Sequence, residues 1–186
     1  MYPFFMDLTT TLSLLKAYHP EDVAEQAFRT QMIAFVNRYP DTFTSRANTQ
    51  GHLTTSAWIT SPDCTKVLLI YHRKLQKWLQ PGGHIEPSDP SLQAAALREA
   101  REESGLQNFA YATEGVFDLD IHPIPALGTD PGHLHLDIRF HLTASDMAAL
   151  TPQQREVSQV QWFTLSELKE MELPPSLWRM ARKVRG

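Results

Sequence analysis

Three glutamates decide where this chain must place a helix. From Asp89-Pro90, an N-cap signature followed by proline in the first helical position, the sequence runs without a breaker to Gly105, a residue suited to the C′ position. At about 100° per residue, Glu99, Glu102 and Glu103 fall within an arc of roughly 100°, and Leu92, Ala95 and Ala96 share that sector one or two turns earlier. The acidic patch therefore continues an apolar stripe. Like charges on the side of a helix that faces a protein interior are costly without a partner. A hard dication such as magnesium resolves the conflict, because it takes oxygen ligands and pairs a few carboxylates with phosphate oxygens. The competing reading is a solvated acidic face in which Arg98 and Glu102 form an ordinary i,i+4 pair. The stripe favours the metal, as does the Pro81-Gly82-Gly83 loop just upstream, where missing side chains let the backbone approach a ligand.

Around this helix the sequence alternates between helical and strand periods. Residues 7 to 39 read as helices, with Leu8, Leu12 and Leu15 at helical spacing and Val23, Ala27, Met32 and Phe35 following Pro20. Leu53 to Ile59 and Lys66 to Tyr71 are strand-like runs parted by Ser61-Pro62-Asp63, and they are expected to pair as a hairpin. Phe109 to Ile121, His133 to Leu142 and Val160 to Phe163 supply further strands. Two short helices, near Leu165 to Met171 and Ser176 to Val184, are expected to close the chain. With 186 residues and 42% hydrophobic content, one compact domain is the expectation.

The spelling from Gly82 to Leu106 resembles the Nudix box, GX5EX7REUXEEXGU with U aliphatic. Arg98-Glu99-Ala100-Arg101-Glu102-Glu103-Ser104-Gly105-Leu106 matches its second half, with Ala100 in the aliphatic slot. The first half departs from it. Counted from Gly83, the acidic position is Asp89 instead of glutamate, and one extra residue separates it from Arg98. Trp78-Leu79-Gln80-Pro81-Gly82-Gly83 is similar to the family's lead-in, and Val160-Gln161-Trp162-Phe163 with Leu165 to Leu168 is similar to its closing strand and helix.

The resemblance implies an α/β (α+β) Nudix fold, a mixed sheet sandwiched between helices with the box as a loop–helix–loop metal site. That domain would span residues 46–186, with 1–45 as an N-terminal helical extension. It implies a hydrolase cleaving the pyrophosphate bond of a nucleoside diphosphate linked to another moiety: a nucleoside triphosphate, nucleotide sugar or dinucleotide. Mg²⁺ or Mn²⁺ is the implied cofactor, with Glu99, Glu102 and Glu103 as ligands, the Gly83 carbonyl as a further ligand, and Arg98 orienting the carboxylates. The general base is then a box carboxylate, Glu99 or Glu103, or else Glu156 on the loop before Trp162, which reads equally well as a solvated loop residue.

Residues outside the box would choose the substrate. His133, His135 and Asp137 alternate along one strand and so share a face, and His84 adjoins the glycine loop. These histidines are candidates for contact with phosphate or a second metal, against a plainly polar strand face. Arg73 could supply positive charge and Trp78 could stack on a base, with solvation and core packing as the respective alternatives. The N-terminal helices could cover the sheet, cap the pocket or form a homodimer contact.

Charge and cysteine content narrow the classes further. A net charge of -4 gives no footprint for a nucleic-acid backbone, so a small-molecule partner is expected. Cys64 stands alone, which excludes an intramolecular disulfide and suits a reducing cytoplasm. The apolar opening is interrupted by Asp7 and lacks the features of a signal peptide, and no run has the length of a membrane span. A catalytically silent nucleotide-sensing module is the alternative function, but a sensor has no need of all three box carboxylates.

Overall fold

The computed structural model describes residues 6–126, 128, 131–152 and 157–184. Two N-terminal helices, α1 (Leu8–Ala17) and α2 (Val23–Arg38), begin at Asp7 and Asp22, whose carboxylates accept from the amides of Thr10 and Glu25. Four strands follow: β1 (Gly51–Thr60), β2 (Lys66–His72), β3 (Lys77–Leu79) and β4 (Gly82–His84). The glutamate helix is α3 (Leu92–Ser104). Strands β5 (Ala110–Tyr111), β6 (Asp118–Ile124), β7 (His133–Thr143) and β8 (Val157–Thr164) come next, and the short helices α4 (Leu165–Lys169) and α5 (Pro175–Lys183) follow them. Among the described residues no helix is long and apolar enough to cross a membrane.

The sheet is mixed and forked. Its spine is the parallel pair β1–β7, in register from Gly51↔Leu134 to Thr60↔Thr143. β7 carries β5 and β6 antiparallel on its other edge, and β8 lies antiparallel along β2. The hairpin expected between β1 and β2 pairs only next to its turn, at Ile59↔Leu68 and Thr60↔Val67. Beyond those pairs the strands diverge, because β4 takes the edge of β1 at Thr54 to Ser56 and β3 takes the edge of β2 at Ile70 to His72. The Gln80-Pro81 link crosses this fork, where the Pro81 carbonyl accepts from the Ala57 amide at 2.9 Å. The box loop thus leaves the sheet at the place where its two halves separate.

Alternation along the spine gives the sheet two unlike faces. One presents Leu53, Leu136, Ile138 and Phe140 to Leu15, Met32, Val36, Leu92 and Ala96, so α1 and α2 share a core with the first turns of α3. Of the three roles open to the N-terminal helices, covering the sheet is the one this packing shows. Full burial of Leu15, Met32 and Val36 contributes about 1.5–3 kcal/mol each before entropy is charged against it. Ala57, Ile59, Leu68 and Leu142 continue that face beneath Ala100 and Leu106. The other face packs Trp58, Val67 and Leu69 on Phe163, Leu168, Leu177 and Met180 from β8, α4 and α5.

On this second face a buried charge network replaces apolar packing. Arg139 donates to Asp137 (2.8 Å), Asp118 (3.2 Å) and Asp120 (3.2 Å), while Arg179 binds Asp118 at 2.8 Å through both Nε and Nη2. Lys183 reaches Asp118 at 3.0 Å and also pairs with Glu25, which in turn accepts from the Tyr18 hydroxyl. The network ties α2 to α5 around the β6 edge of the sheet.

Candidate active site

The loop and the glutamate helix meet through a short polar chain. The Gly82 amide donates to Glu103 Oε2 at 2.9 Å. Arg98 donates to both Asp89 oxygens at 3.0 Å, to the His84 carbonyl at 2.9 Å and to Glu99 Oε1 at 2.9 Å, and lies 3.6 Å from Glu102. One guanidinium therefore fixes the loop backbone, the residue ahead of the helix and two of the three glutamates. Burial works against its charge, but Asp89 and Glu99 more than offset this and hold the Arg98 pKa above its ordinary value.

The helix starts later than the sequence suggests. Asp89 does not cap it. Ser91 does, accepting from the Ala94 amide at 3.1 Å, and the helix begins at Leu92. The Asp89 carboxylate is engaged elsewhere: it accepts from the Glu86 amide at 2.7 Å and from Arg98, and so fastens the loop to the helix. The far end agrees with expectation, since Gly105 adopts φ +78 and a side chain there would meet the Thr151 carbonyl.

The stripe holds for Glu99 and Glu103, which are largely buried, whereas the Glu102 side chain is 40% exposed and lies at its margin. Burial pushes the Glu99 carboxyl pKa up and the Arg98 charge pulls it down, but the neighbouring charges of Glu102 and Asp89 add to the rise. A site that resists its own negative charge in this way fits a hard dication. The loop also leaves no room for a substitute. A Cβ on Gly83 would stand 2.6 Å from Glu99 Oε1.

The histidines anticipated near the loop do come together, with one more. His84 on β4 and His133 and His135 on β7 gather around His52, their ring centroids 5.1, 5.0 and 4.8 Å from its own. His52 is 1% exposed, and burial, with the nearby histidines, holds its pKa down to about 4. Asp137 shares their strand face but joins the Arg139 network, accepting also from Thr54 (3.2 Å) and Ser56 (2.7 Å). Trp78 packs edge-on against Tyr71 and Phe163 in the second core, an arrangement that meets the core alternative. Arg73 lies on the exposed β2–β3 turn and donates to the Val157 carbonyl at 3.1 Å. Glu156 falls outside the described residues.

The NUDIX domain family model matches residues 51–184, which include the whole of this site. The chain belongs to the Nudix family. Similar chains include the m7GpppN-mRNA hydrolase NUDT17 of Xenopus laevis, 33% identical over 92 residues, or 46% of this chain and 31% of that one. The uncharacterized Nudix hydrolase YvcI of Bacillus subtilis (strain 168) is 26% identical over 111 residues, or 59% of this chain and 65% of that one. The chain thus matches about a third of one curated relative's length and just under two thirds of the other's. Among solved structures, a NUDIX-family hydrolase from Clostridium perfringens aligns with a TM-score of 0.53 and 25% identity, covering 72% of this chain and 96% of that one. The NUDIX domain of Shewanella oneidensis NrtR, complexed with ADP ribose, aligns with a TM-score of 0.54 at 22% identity, covering 80% and 96%.

Within the Nudix box, the aspartate at the acidic position and the next serine after it take separate roles: Asp89 makes a bidentate contact with Arg98, and Ser91 caps the helix. The first glycine of the lead-in is constrained as tightly as the second. A Cβ on Gly82 would lie 2.3 Å from Ser56 Cβ and 2.8 Å from the Thr55 carbonyl of the paired strand. Gly82→Ala is therefore expected to destabilise the protein by about 1–3 kcal/mol, the usual cost of overpacking, and to draw the Nudix loop off Glu103. A thermal melt checks this, and an unchanged midpoint would show that the loop has slack the geometry does not suggest.

Proposed function

We propose that this Nudix protein is a Mg²⁺- or Mn²⁺-dependent pyrophosphohydrolase acting on a nucleoside diphosphate linked to another moiety. The supporting observation is the convergence of Glu99 and Glu103 on the Gly82-Gly83 loop, with Arg98 and Asp89 bracing them from behind. Glu99, Glu102 and Glu103 would hold the ion, with the Gly83 carbonyl as a further ligand. Bound there, the ion supplies neutralisation of pyrophosphate oxygens and a lowered pKa for the water that attacks phosphorus.

The chain's own residues do the remaining work. Arg98 keeps Glu99 turned toward the loop, and the Gly82 amide does the same for Glu103. The proton released by the attacking water goes to a box carboxylate. Glu99 enters that role with its pKa already raised by burial. His84 follows Gly83 directly, and in this reading it is the histidine that would meet the substrate's phosphates.

The decisive experiment is a panel of pyrophosphate compounds assayed with Mg²⁺ or Mn²⁺. ADP-ribose and a capped m7GpppN dinucleotide enter it because relatives bind or cleave such compounds, beside nucleoside triphosphates, nucleotide sugars and dinucleoside polyphosphates. At least one is expected to turn over, with the activity abolished by a chelator and restored by either ion. Full turnover in metal-free buffer would overturn the assignment.

A further inference from the structure

We infer that His52, His133 and His135 form a second metal site, separate from the Nudix carboxylates, for a borderline transition-metal dication of the zinc class. One nitrogen from each of the three rings lies within 4.8 Å of the others. Both ring nitrogens of His52 are buried without a hydrogen-bond partner, and so is Nε2 of His135. A buried polar atom left unmatched is costly, and an ion that took one nitrogen of His52 and Nε2 of His135 would match two of these three.

The third histidine is already oriented for this role. His133 Nδ1 lies 3.0 Å from the Pro131 carbonyl, which can only accept, so Nδ1 carries the proton and the lone pair of the neutral ring sits on Nε2. A histidine that donates one nitrogen to a carbonyl and offers the other is the arrangement metal-ligating imidazoles adopt. Around a tetrahedral ion at about 2.0–2.1 Å, imidazole nitrogens stand roughly 3.4 Å apart. Side-chain rotations of about 1 Å close the set, and His133, at the start of β7 and only half-buried, has room to make them.

The donor set also selects the ion. Imidazole suits zinc, copper, nickel and iron, whereas magnesium and calcium demand oxygen, so the two sites would sort their metals by chemistry. Three protein ligands leave a coordination position open, the hallmark of a site that takes water or an anionic oxygen. His84, whose ring is 5.1 Å from His52, connects this cluster to the Nudix loop through its neighbour Gly83. The inference does not rest on the chain being a hydrolase.

The test uses the full chain without a histidine tag, stripped of metal, then loaded with Zn²⁺ in millimolar Mg²⁺. About one equivalent of zinc is expected to survive dialysis, and Co²⁺ in its place is expected to give visible ligand-field bands. His133→Ala and His135→Ala should weaken zinc binding by roughly 100-fold or more and abolish the bands. A Glu99→Gln/Glu103→Gln variant should retain both. His133→Ala keeps the test interpretable if the more buried position disturbs folding, which a thermal melt monitors. Absence of bound zinc in the folded wild type, zinc binding indifferent to His133→Ala, or loss only in the glutamate variant would each overturn the inference.

Discussion

Glu103→Gln is expected to lower turnover by about 10²- to 10⁴-fold, the range a positioned carboxylate contributes to such chemistry, while leaving the fold intact. Glutamine keeps the size of the side chain and an oxygen able to accept from the Gly82 amide, so the loop contact at 2.9 Å survives. The negative charge needed by the cation is lost. Glu99→Gln should behave alike. In metal-free protein either change relieves a like-charge pair at i,i+4, worth roughly 0.2–0.5 kcal/mol, so the melting temperature should hold or rise slightly. The stabilisation that added Mg²⁺ gives the wild type should shrink in both variants, because an ion that binds only the folded state stabilises it by mass action. Glu86 is exposed and precedes the helix, and Glu86→Gln should change little. Near-normal turnover in Glu103→Gln, with metal-induced stabilisation unchanged, would show the stripe to be an ordinary acidic surface.

The largest loss of stability is expected from Arg139→Met. Arg139 is 2% exposed and answers three carboxylates, those of Asp118, Asp120 and Asp137. Methionine fills similar space but leaves those charges short of a partner, and breaking a buried pair from one side costs about 3–5 kcal/mol. For a chain of this size that lowers the melting temperature by roughly 6 to 20 °C. Acid should have a related effect. Burial pushes the Asp118 pKa up, but Arg179, Arg139 and Lys183 override it and hold the group below its ordinary 3.8. A depressed carboxylate pKa contributes stability that is fully present above the unfolded-state value and is lost as pH falls below it. The wild type should therefore lose stability below about pH 4, and Arg139→Met should lose less over the same interval. Melts across pH 3 to 7 decide this, and equal acid sensitivity in the two proteins would place the titration elsewhere.

The parts of this structure legible in the sequence are those set by short-range period. Glu99 and Glu103 lie on the buried stripe because a helix repeats regardless of its surroundings, and His133 and His135 share a face because a strand alternates. What escaped reading depends on pairing between distant segments. His52 joins the cluster only because β1 runs parallel to β7 in a register that sets His52 beside His135, and a strand read as starting at Leu53 leaves it out. Asp118, Asp120, Arg139 and Arg179 are unremarkable letters until β6, β7 and α5 converge. Asp89-Pro90 misled for a local reason. The spelling suits a helix start, but the Asp89 carboxylate is held by Arg98 and the Glu86 amide, and the next hydroxyl, Ser91, takes the cap.

The unbroken ladder between β1 and β7 has a consequence for how such a protein can diverge. Because successive side chains point to opposite faces, the even positions of β7 answer to the helices on one side, while the odd positions carry the histidines and the charge network on the other. The backbone bonds of the ladder are indifferent to either set. Substitution on one face therefore leaves the constraints on the other untouched, and selection can rewrite the histidine letters while the even positions and the Arg139 network keep the shape. A single-residue insertion would be another matter, since it would exchange the two alphabets along the rest of the strand and turn histidines toward the core. At the histidine positions the strand therefore tolerates change of content far better than change of length, and descent can vary those letters without endangering the architecture.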